Sequence, residues 1–465
     1  MTGINRRKFL GVAAATGAGM LLSGSLDAAQ NARSGRNARL ARNAVAPQNA
    51  QSGGTPRSDE LNIALIGAGA QGQVLMNSCL KIPGVRFRAV CDIWEAYNRR
   101  RAERMLDKFG QRVTAYEDYR QMLSREKSLD AVLIATPDFW HAEQTVDCLQ
   151  AGLHVYCEKE MSNTLEGARR MVRAARRTGK LLQIGHQRRS NPRYLHCYRK
   201  LLREANLLGR ITTVNGQWNR SVQPDNAWPK NAVIDTAVLR KYGFRSMAEF
   251  RNWRWYRHLG GGPVVDLGSH QLDIYNWFLD ARPRTIVANG GTDYYDRKTH
   301  EWFDTVLATF EYETRLGRVR AFYQTISTNS NQGYFETFMG DQGTLLISES
   351  AGRGGAFREP AAPDWENWVS LGYLAAPASE VKQPAPDAVL DVRETIAPPA
   401  YELPVKLDDP YHMPHLKNFF NAVRGKEALN SPPESGYETA VTVLKVNEAV
   451  EAGKKITIDP REYAA

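Results

Sequence analysis

Lys159, Asp266 and His270 have the residue types and spacing to do chemistry, and the chemistry they could do is proton transfer and charge stabilisation at a hydroxyl or carbonyl. Lys159 follows a short apolar run, residues 153–157, within CEKEM at 157–161. A lysine at the end of a sheet strand can hydrogen-bond a substrate hydroxyl, hold negative charge as hydride leaves carbon, and polarise a carbonyl in the reverse reaction. Asp266 and His270 lie four residues apart, so a helix through them puts both on one face. His270 can then remove the hydroxyl proton, because an ordinary imidazole titrates near neutrality, while Asp266 binds substrate hydroxyls or orients the ring. The plain alternatives are a solvated lysine paired with Glu158 or Glu160, and a capping aspartate beside a packing histidine. Asp273, further along the same stretch, reads as structural.

Hydride removal needs an acceptor, and residues 61–72, LNIALIGAGAQG, have the form of a turn that binds one. The apolar run at 63–66 predicts a buried strand, and a helix is expected from Ala70 to about residue 82. Gly67 permits the chain reversal, Gly69 lets backbone amides approach a pyrophosphate, and Gly72 lets the helix pack on its strand. Ala70 and Gln71 open that helix, whose N-terminus favours phosphate. A second apolar run at 87–91 ends in Asp92, about 20 residues beyond the glycines, where a ribose hydroxyl contact is expected. A carboxylate there repels an added ribose phosphate, so the expected cofactor is NAD; Arg99 and Arg100 keep NADP open.

The elements that must place these groups alternate. Apolar runs at 131–135, 153–157 and 181–185 are interleaved with helical stretches at 94–109, 119–123, 141–149 and 164–176, the pattern of βαβ units and an α/β domain at 59–186. Ligands on such sheets bind beyond the carboxyl ends of the strands. That rule gathers residues 67–72, Asp92, Thr136, Pro137, His141, Glu158, Lys159 and His186 around one crevice, with Thr136, Pro137 and His141 as its floor. His186 either touches nicotinamide ribose or substrate or is a loop histidine bound to backbone; Gln187 and Arg188 are candidate substrate contacts.

Beyond residue 192 the pattern changes. A linking helix at 194–204, a helix at 266–279 and strands at 211–218, 285–288, 305–312, 319–327, 335–340 and 344–347 predict an α+β domain at 187–410. Its sheet is expected to be large and mostly antiparallel, with an open face covered by ligand or another subunit. Residues 219–257 read as an irregular insertion rich in Trp and Arg. Trp218, Arg220, Trp253 and Tyr256 either form a carbohydrate-binding wall or pack in a core or subunit contact. Residues 351–410 read as a surface wrap, and helices at 415–423 and 438–452 place 411–465 against the domains.

The formal net charge is +11, but residues 1–60 supply +5 of it. The remainder has no basic stripe with interleaved aromatics, which argues against a nucleic-acid partner. Asn5, Arg6, Arg7, Lys8, Phe9 and Leu10 precede a weakly apolar run at 11–22, and the paired arginines resemble a twin-arginine export signal over residues 1–29. Such a signal is read by the export machinery and is short for a stable membrane span, so a periplasmic or otherwise exported location is expected. Residues 30–58 read as a flexible linker or as an arm lying across a neighbouring subunit. Cys79, Cys91, Cys148, Cys157 and Cys197 have no metal-ligand spacing, and Asp266 with His270 lacks a third ligand, so no metal is expected and the thiols read as free.

GAGAQG at 67–72, Asp92, ATPDFWH at 135–141, CEKEM at 157–161, GHQRR at 185–189 and GGGPVVDLGSHQLD at 260–273 together resemble the glucose-fructose oxidoreductase, inositol dehydrogenase and rhizopine-catabolism (Gfo/Idh/MocA) family, from residue 61 to about 458. The resemblance implies a Rossmann-like α/β N-terminal domain and an α+β C-terminal domain whose sheet carries a sugar or polyol site and mediates a homo-oligomer, a dimer or tetramer. It assigns Lys159, Asp266 and His270 to the reaction of an NAD(P)-dependent oxidoreductase. Where the family has EKP this chain has Glu158, Lys159 and Glu160, which keeps the lysine, loses proline's φ restriction and brings an additional carboxylate near the site. Export removes the enzyme from a replenished NAD(H) pool, so a tightly bound cofactor and a closed redox cycle are expected. The alternatives are a glycosidase working by transient oxidation and elimination, and a non-enzymatic NAD-binding protein, against which Lys159, Asp266 and His270 argue jointly.

Overall fold

Strands β1 Leu61–Ile66, β2 Val85–Cys91, β3 Thr114–Tyr116, β4 Ala131–Ile134, β5 His154–Cys157 and β6 Leu182–Ile184 form a parallel sheet in the order β3-β2-β1-β4-β5-β6. The computed structural model describes residues 59–377 and 400–465; the expected export segment at 1–29 and linker or arm at 30–58 lie outside the described residues. β4 is buried throughout and β1 almost so, because helices cover both faces of a parallel sheet. Register sets the functional edge. Ile66 pairs with both Cys91 and Ile134, Ile134 with Cys157, and Cys157 with Ile184, so the strands end level with one another. The residues that follow, from Gly67 and Asp92 to Ala135 and Glu158, therefore emerge side by side where the strand order reverses.

The second sheet contains β7 Ile211–Asn219, β8 Pro283–Gly291, β9 Thr305–Thr314, β10 Gly317–Ile326, β11 Tyr334–Gly340, β12 Gly343–Ile347, β13 Gly354–Arg358, β14 Ala400–Tyr401 and β15 Ile456–Thr457. Their order is β14-β13-β12-β11-β7-β10-β9-β8-β15, antiparallel everywhere except between β7 and β10. β9 alternates: Val306, Ala308, Phe310 and Tyr312 are buried, whereas Leu307 faces outward beside Val287 of β8, both exposed. The inner face carries the helix Gly262–Leu279, buried at nearly every position. Gly268 allows the close approach, since a Cβ there would sit 2.8 Å from the Tyr323 ring, and Tyr275 Oη donates to the Phe322 carbonyl at 2.9 Å. The helix Pro433–Ala452 covers the other side of Gly262–Leu279, with Asn276 Nδ2 donating to Thr442 Oγ1. No helix among the described residues is long and apolar enough to cross a membrane.

The last segment returns to the first sheet. The helix Met413–Val423 places Met413, Leu416, Phe419 and Phe420 in the apolar layer formed by Ile63, Leu65, Phe87 and Leu133. That docking carries the preceding Tyr411 and His412 to the glycine turn.

Several local expectations differ from the fold. The helix expected at 94–109 is a π-turn, Glu95–Arg99, followed by an α-helix, Arg100–Asp107, and the three-residue β3 was too short to leave a period. The insertion at 219–257 is not wholly irregular: helices Thr236–Lys241 and Met247–Arg251 form around Ala232, Ile234, Leu239, Phe244 and Met247, which pack on Trp94. Helices of five or six residues have no stability of their own, so only this apolar cluster makes them. Part of the expected surface wrap continues the sheet as β13 and β14. All five cysteines are buried and unpaired, and burial pushes each thiol up.

Candidate active site

The glycine turn has the geometry a dinucleotide needs. Gly67 has φ +88°, and a Cβ there would lie 2.6 Å from the Ala135 carbonyl oxygen. A Cβ on Gly72 would lie 1.9 Å from the Gly67 carbonyl oxygen, so this glycine serves helix packing and does not line the cavity. Gly69 is different: a Cβ there would meet only the Asn98 side chain, at 3.9 Å, which leaves room for a phosphate beside the start of the helix Ala70–Cys79. Asp92 accepts from the backbone amides of Ala68 at 2.8 Å and Trp94 at 2.7 Å and from Asn98 Nδ2 at 3.1 Å. Burial pushes its carboxyl up while those donors pull it back, and the group braces the turn while also lining the cavity. Arg99 and Arg100 both turn to Glu95, at 2.9 and 3.6 Å, and neither lines the cavity, so no guanidinium from this pair awaits a ribose phosphate.

This turn opens into a cavity of about 720 Å³ whose opposite wall comes from the second sheet and from the insertion. Gly67, Gly69, Ala70, Gln71, Asp92, Thr136, Pro137, Glu158 and Lys159 line it with Gln187, Asp266 and His270. Lys159 Nζ donates to the Asp266 backbone carbonyl and, at 3.1 Å, to Asp266 Oδ1. Arg254 Nε lies 3.1 Å from the same oxygen, and Arg220 Nη1 lies 4.0 Å from Oδ2. Burial raises the Asp266 carboxyl, but Arg254, Lys159 and Arg220 outweigh it and hold the group well below the usual carboxylate range. Asp138 is pushed up to about 7 by burial and then by the Asp266 charge.

Asp266 thus holds Lys159 rather than the imidazole. His270 packs against Trp218, ring centroids 5.4 Å apart, and Trp218 stacks on Tyr334 at 4.5 Å. The buried Nδ1 of His270 has no hydrogen-bond partner among the described residues. Burial, followed by the charges of Lys159 and Arg188, lowers the imidazole well below its ordinary value and keeps it neutral.

Three of the expected contacts lie outside the cavity lining. His141 is buried, its nitrogens 2.7 Å from the Glu160 carbonyl and 2.8 Å from the Thr136 carbonyl, and so it joins two loops behind the cavity floor. His186 is buried with neither nitrogen bonded among the described residues, and burial lowers it to about 4. Arg188 is consumed by a buried network: it pairs with Glu336 and with Glu349, the latter at 2.8 Å, while Tyr194 Oη donates to Glu336 at 2.6 Å. The Nη2 of Arg188 has no partner among the described residues, but the guanidinium is buried against two carboxylates and does not line the cavity. Glu160, expected near the site, is also enclosed. Its Oε1 accepts from the Met161 amide at 2.7 Å, Oε2 has no partner among the described residues, and burial pushes it up to about 8. Tyr256 belongs to the core of the insertion, whereas Trp218, Arg220 and Trp253 line the cavity.

The sequence reading missed Arg254, Glu349 and His412 and gave Asp138, within the stretch 136–141 at the crevice, no role of its own. Asp138 directly follows Pro137 in ATPDFWH and was within reach. Arg254 sits between two tryptophans and His412 ends an aperiodic stretch, and neither carried a pattern. His412 Nε2 lies 2.9 Å from Gln71 Nε2, which also donates to Glu158 Oε1 at 2.9 Å, so the C-terminal segment is tied to the glycine turn.

The fold and the family models that the chain matches make the protein an NAD(P)-dependent oxidoreductase acting on CH–OH groups. Two family models match: the oxidoreductase family's NAD-binding Rossmann fold over residues 61–186, and its C-terminal alpha/beta domain over residues 199–458. The chain belongs to the Gfo/Idh/MocA oxidoreductase family, and its N-terminal domain is that family's NAD-binding domain. It is 24% identical to an inositol 2-dehydrogenase of Rubrobacter xylanophilus, over 74% of this chain and 96% of that one. It is 26% identical to the D-glucoside 3-dehydrogenase of Escherichia coli, over 86% of this chain and 98% of that one. The WlbA dehydrogenase of Bordetella pertussis, solved in complex with NADH and UDP-GlcNAcA, shares the fold with a TM-score of 0.60 at 19% identity, covering 86% of this chain and 99% of that one.

Proposed function

We propose that this enzyme oxidises a carbinol of a sugar, sugar derivative or polyol, or reduces the corresponding carbonyl, with a tightly held NAD. One observation carries the reading: Lys159, at the end of the first sheet, meets Asp266 and His270, on the helix of the second domain, in the cavity that the glycine turn also lines. Bound NAD supplies the hydride acceptor. Gly67, Gly69, Gln71 and Asp92 hold it, and Thr136 and Pro137 form the floor beside it.

The rest is done by side chains of this chain. Asp266 takes two of the three N–H donors of Lys159, which fixes the ammonium and leaves one for the substrate oxygen. That remaining donor stabilises the negative charge that grows on the oxygen as the carbinol loses hydride. His270, held neutral, accepts the hydroxyl proton. Trp218, Tyr334 and Trp253 add apolar surface to the wall of the cavity.

Export by the twin-arginine route to the periplasm is part of the proposal, supported by Arg6 and Arg7 before the apolar run at 11–22. A protein exported folded can carry its nucleotide with it, and the tie between His412 and Gln71 supports slow release. Homo-oligomerisation as a dimer or tetramer is supported by the exposed Val287 and Leu307 on the outer face of the second sheet. The test is to add a panel of sugars and polyols to the purified protein while recording absorbance of the bound nucleotide. Accumulating NADH supports a net dehydrogenase, turnover without accumulation supports a closed cycle, and no hydride exchange across the panel refutes the enzyme reading.

A further inference from the structure

The residues around the reacting carbon carry more positive charge than a neutral polyol requires. Lys159, Arg220 and Arg254 converge on Asp266, the acid they hold fully ionised, while Asp138 is pushed up to about 7 and is only partly charged at neutrality. The exposures differ in a telling way. The side chains of Lys159 and Asp266 are 11% and 14% exposed, whereas those of Arg220 and Arg254 are each 46% exposed and line the cavity. Among the described residues neither Nη of Arg254, nor any guanidinium nitrogen of Arg220, donates a hydrogen bond within the protein; the nearest acid to Arg220 is Asp266 at 4.0 Å. Both planes are set by aromatic faces, Arg220 over Trp218 at 5.3 Å and Arg254 over Trp253 at 4.3 Å. Two oriented forks with unspent donors fit a planar oxyanion, and little entropy is lost when one docks. Of the other acids lining the cavity, Glu349 is paired with Arg188 and Glu117 with Lys241, Asp225 lies 3.5 Å from His300, and Glu158 accepts from Gln71 and acts on Arg254 only through its charge, with no ion pair to either fork.

We propose that Arg220 and Arg254 form an anion subsite beside Lys159 and that the substrate is an acid sugar, a carbohydrate whose carboxylate or phosphate docks between the two guanidinium groups while the carbinol lies at Lys159. This inference rests on the oxidoreductase reading above and narrows its substrate class.

The test uses the full chain with its nucleotide and three matched probes: D-glucose, D-glucuronate and glucose 6-phosphate. Nicotinamide reduction gives kcat/KM for each, and quenching of tryptophan fluorescence gives binding whether or not the probe reacts. An anion held by these forks is expected to favour an acid sugar over glucose by about 10–100-fold, an advantage that shrinks as salt is raised. Arg220→Gln should cut the acid-to-neutral ratio by a similar factor and Arg220→Lys should restore part of it. Preference for the phosphate over the carboxylate supports the subsite and identifies its ligand. Equal handling of glucose and both acids, or a ratio unchanged in Arg220→Gln, overturns the subsite. Reduction by glucose in that case leaves the oxidoreductase reading standing. If none of the three reduces the nicotinamide, the fluorescence titration alone decides: tighter binding of an acid sugar, lost in Arg220→Gln, supports the subsite, and equal binding overturns it.

Discussion

Replacing Lys159 by methionine keeps most of the stem and removes the ammonium that joins the two domains' contributions to the cavity. The fold should tolerate it. Asp266 loses two donors but keeps Arg254 Nε at 3.1 Å, so its carboxylate is not left without a cation, and the expected destabilisation is about 1–3 kcal/mol. Catalysis should suffer far more, because the donor aimed at the developing oxyanion is gone: kcat falls by about 10³-fold, roughly 4 kcal/mol of barrier. Nucleotide binding should change by less than about threefold, since the turn and Asp92 are untouched. A further signature separates this role from simple damage. The Lys159 charge helps to hold His270 down, so its loss raises the imidazole and moves the acid limb of the residual activity to higher pH. The assays are single-turnover nicotinamide reduction across pH, a nucleotide titration and thermal unfolding. Activity within tenfold of the parent with an unmoved acid limb would refute the assignment, as would loss of nucleotide together with activity.

Gly72→Ala should abolish tight nucleotide binding and lower stability by about 1–3 kcal/mol, because its Cβ would lie 1.9 Å from the Gly67 carbonyl oxygen and the turn must move; calorimetry and nucleotide content of the purified variant check this. Glu160→Gln should stabilise the protein in mild alkali and do little in mild acid. The buried carboxyl titrates near 8 when folded, above its ordinary value, so its stabilising contribution is complete below the unfolded pKa and is lost as pH rises towards 8. At about 1.4 kcal/mol per pKa unit the variant should gain several kcal/mol at high pH, and equal urea midpoints for both proteins at about pH 9 would exclude this account. His412→Ala removes one of the two partners of Gln71 and should speed nucleotide release by up to about tenfold in a chase experiment; an unchanged rate would mean that the C-terminal segment does not retain the cofactor.

Five of the six strands of the first sheet, the glycine turn and Asp92 were legible because each leaves a local signature; the three-residue β3 leaves none. A parallel strand buried on both faces is a run such as Ala131–Ile134, and a tight turn against a neighbouring strand tolerates only glycine at Gly67. Lys159, Asp266 and His270 were legible because lysine at a strand end and an i, i+4 pair on a helix are spacings along the chain. What failed was partnership. Nothing near Arg188 in sequence announces Glu336 or Glu349, and nothing near His141 announces the Glu160 carbonyl, so side chains that looked available are buried in contacts from well over a hundred and about twenty residues away respectively.

The sequence by itself therefore determined the dinucleotide turn and the α/β and α+β halves, because these follow from backbone sterics and from periodicities of two and 3.6 residues, and it offered Lys159, Asp266 and His270 as candidates for the reaction. Tertiary structure alone decided which cations and carboxylates face one another. It placed Arg220 and Arg254 beside Asp266, enclosed Glu160 and His186, and brought His412 back to Gln71. Electrostatics depends on distance through space and on burial, and both are set only when segments remote in the chain pack together.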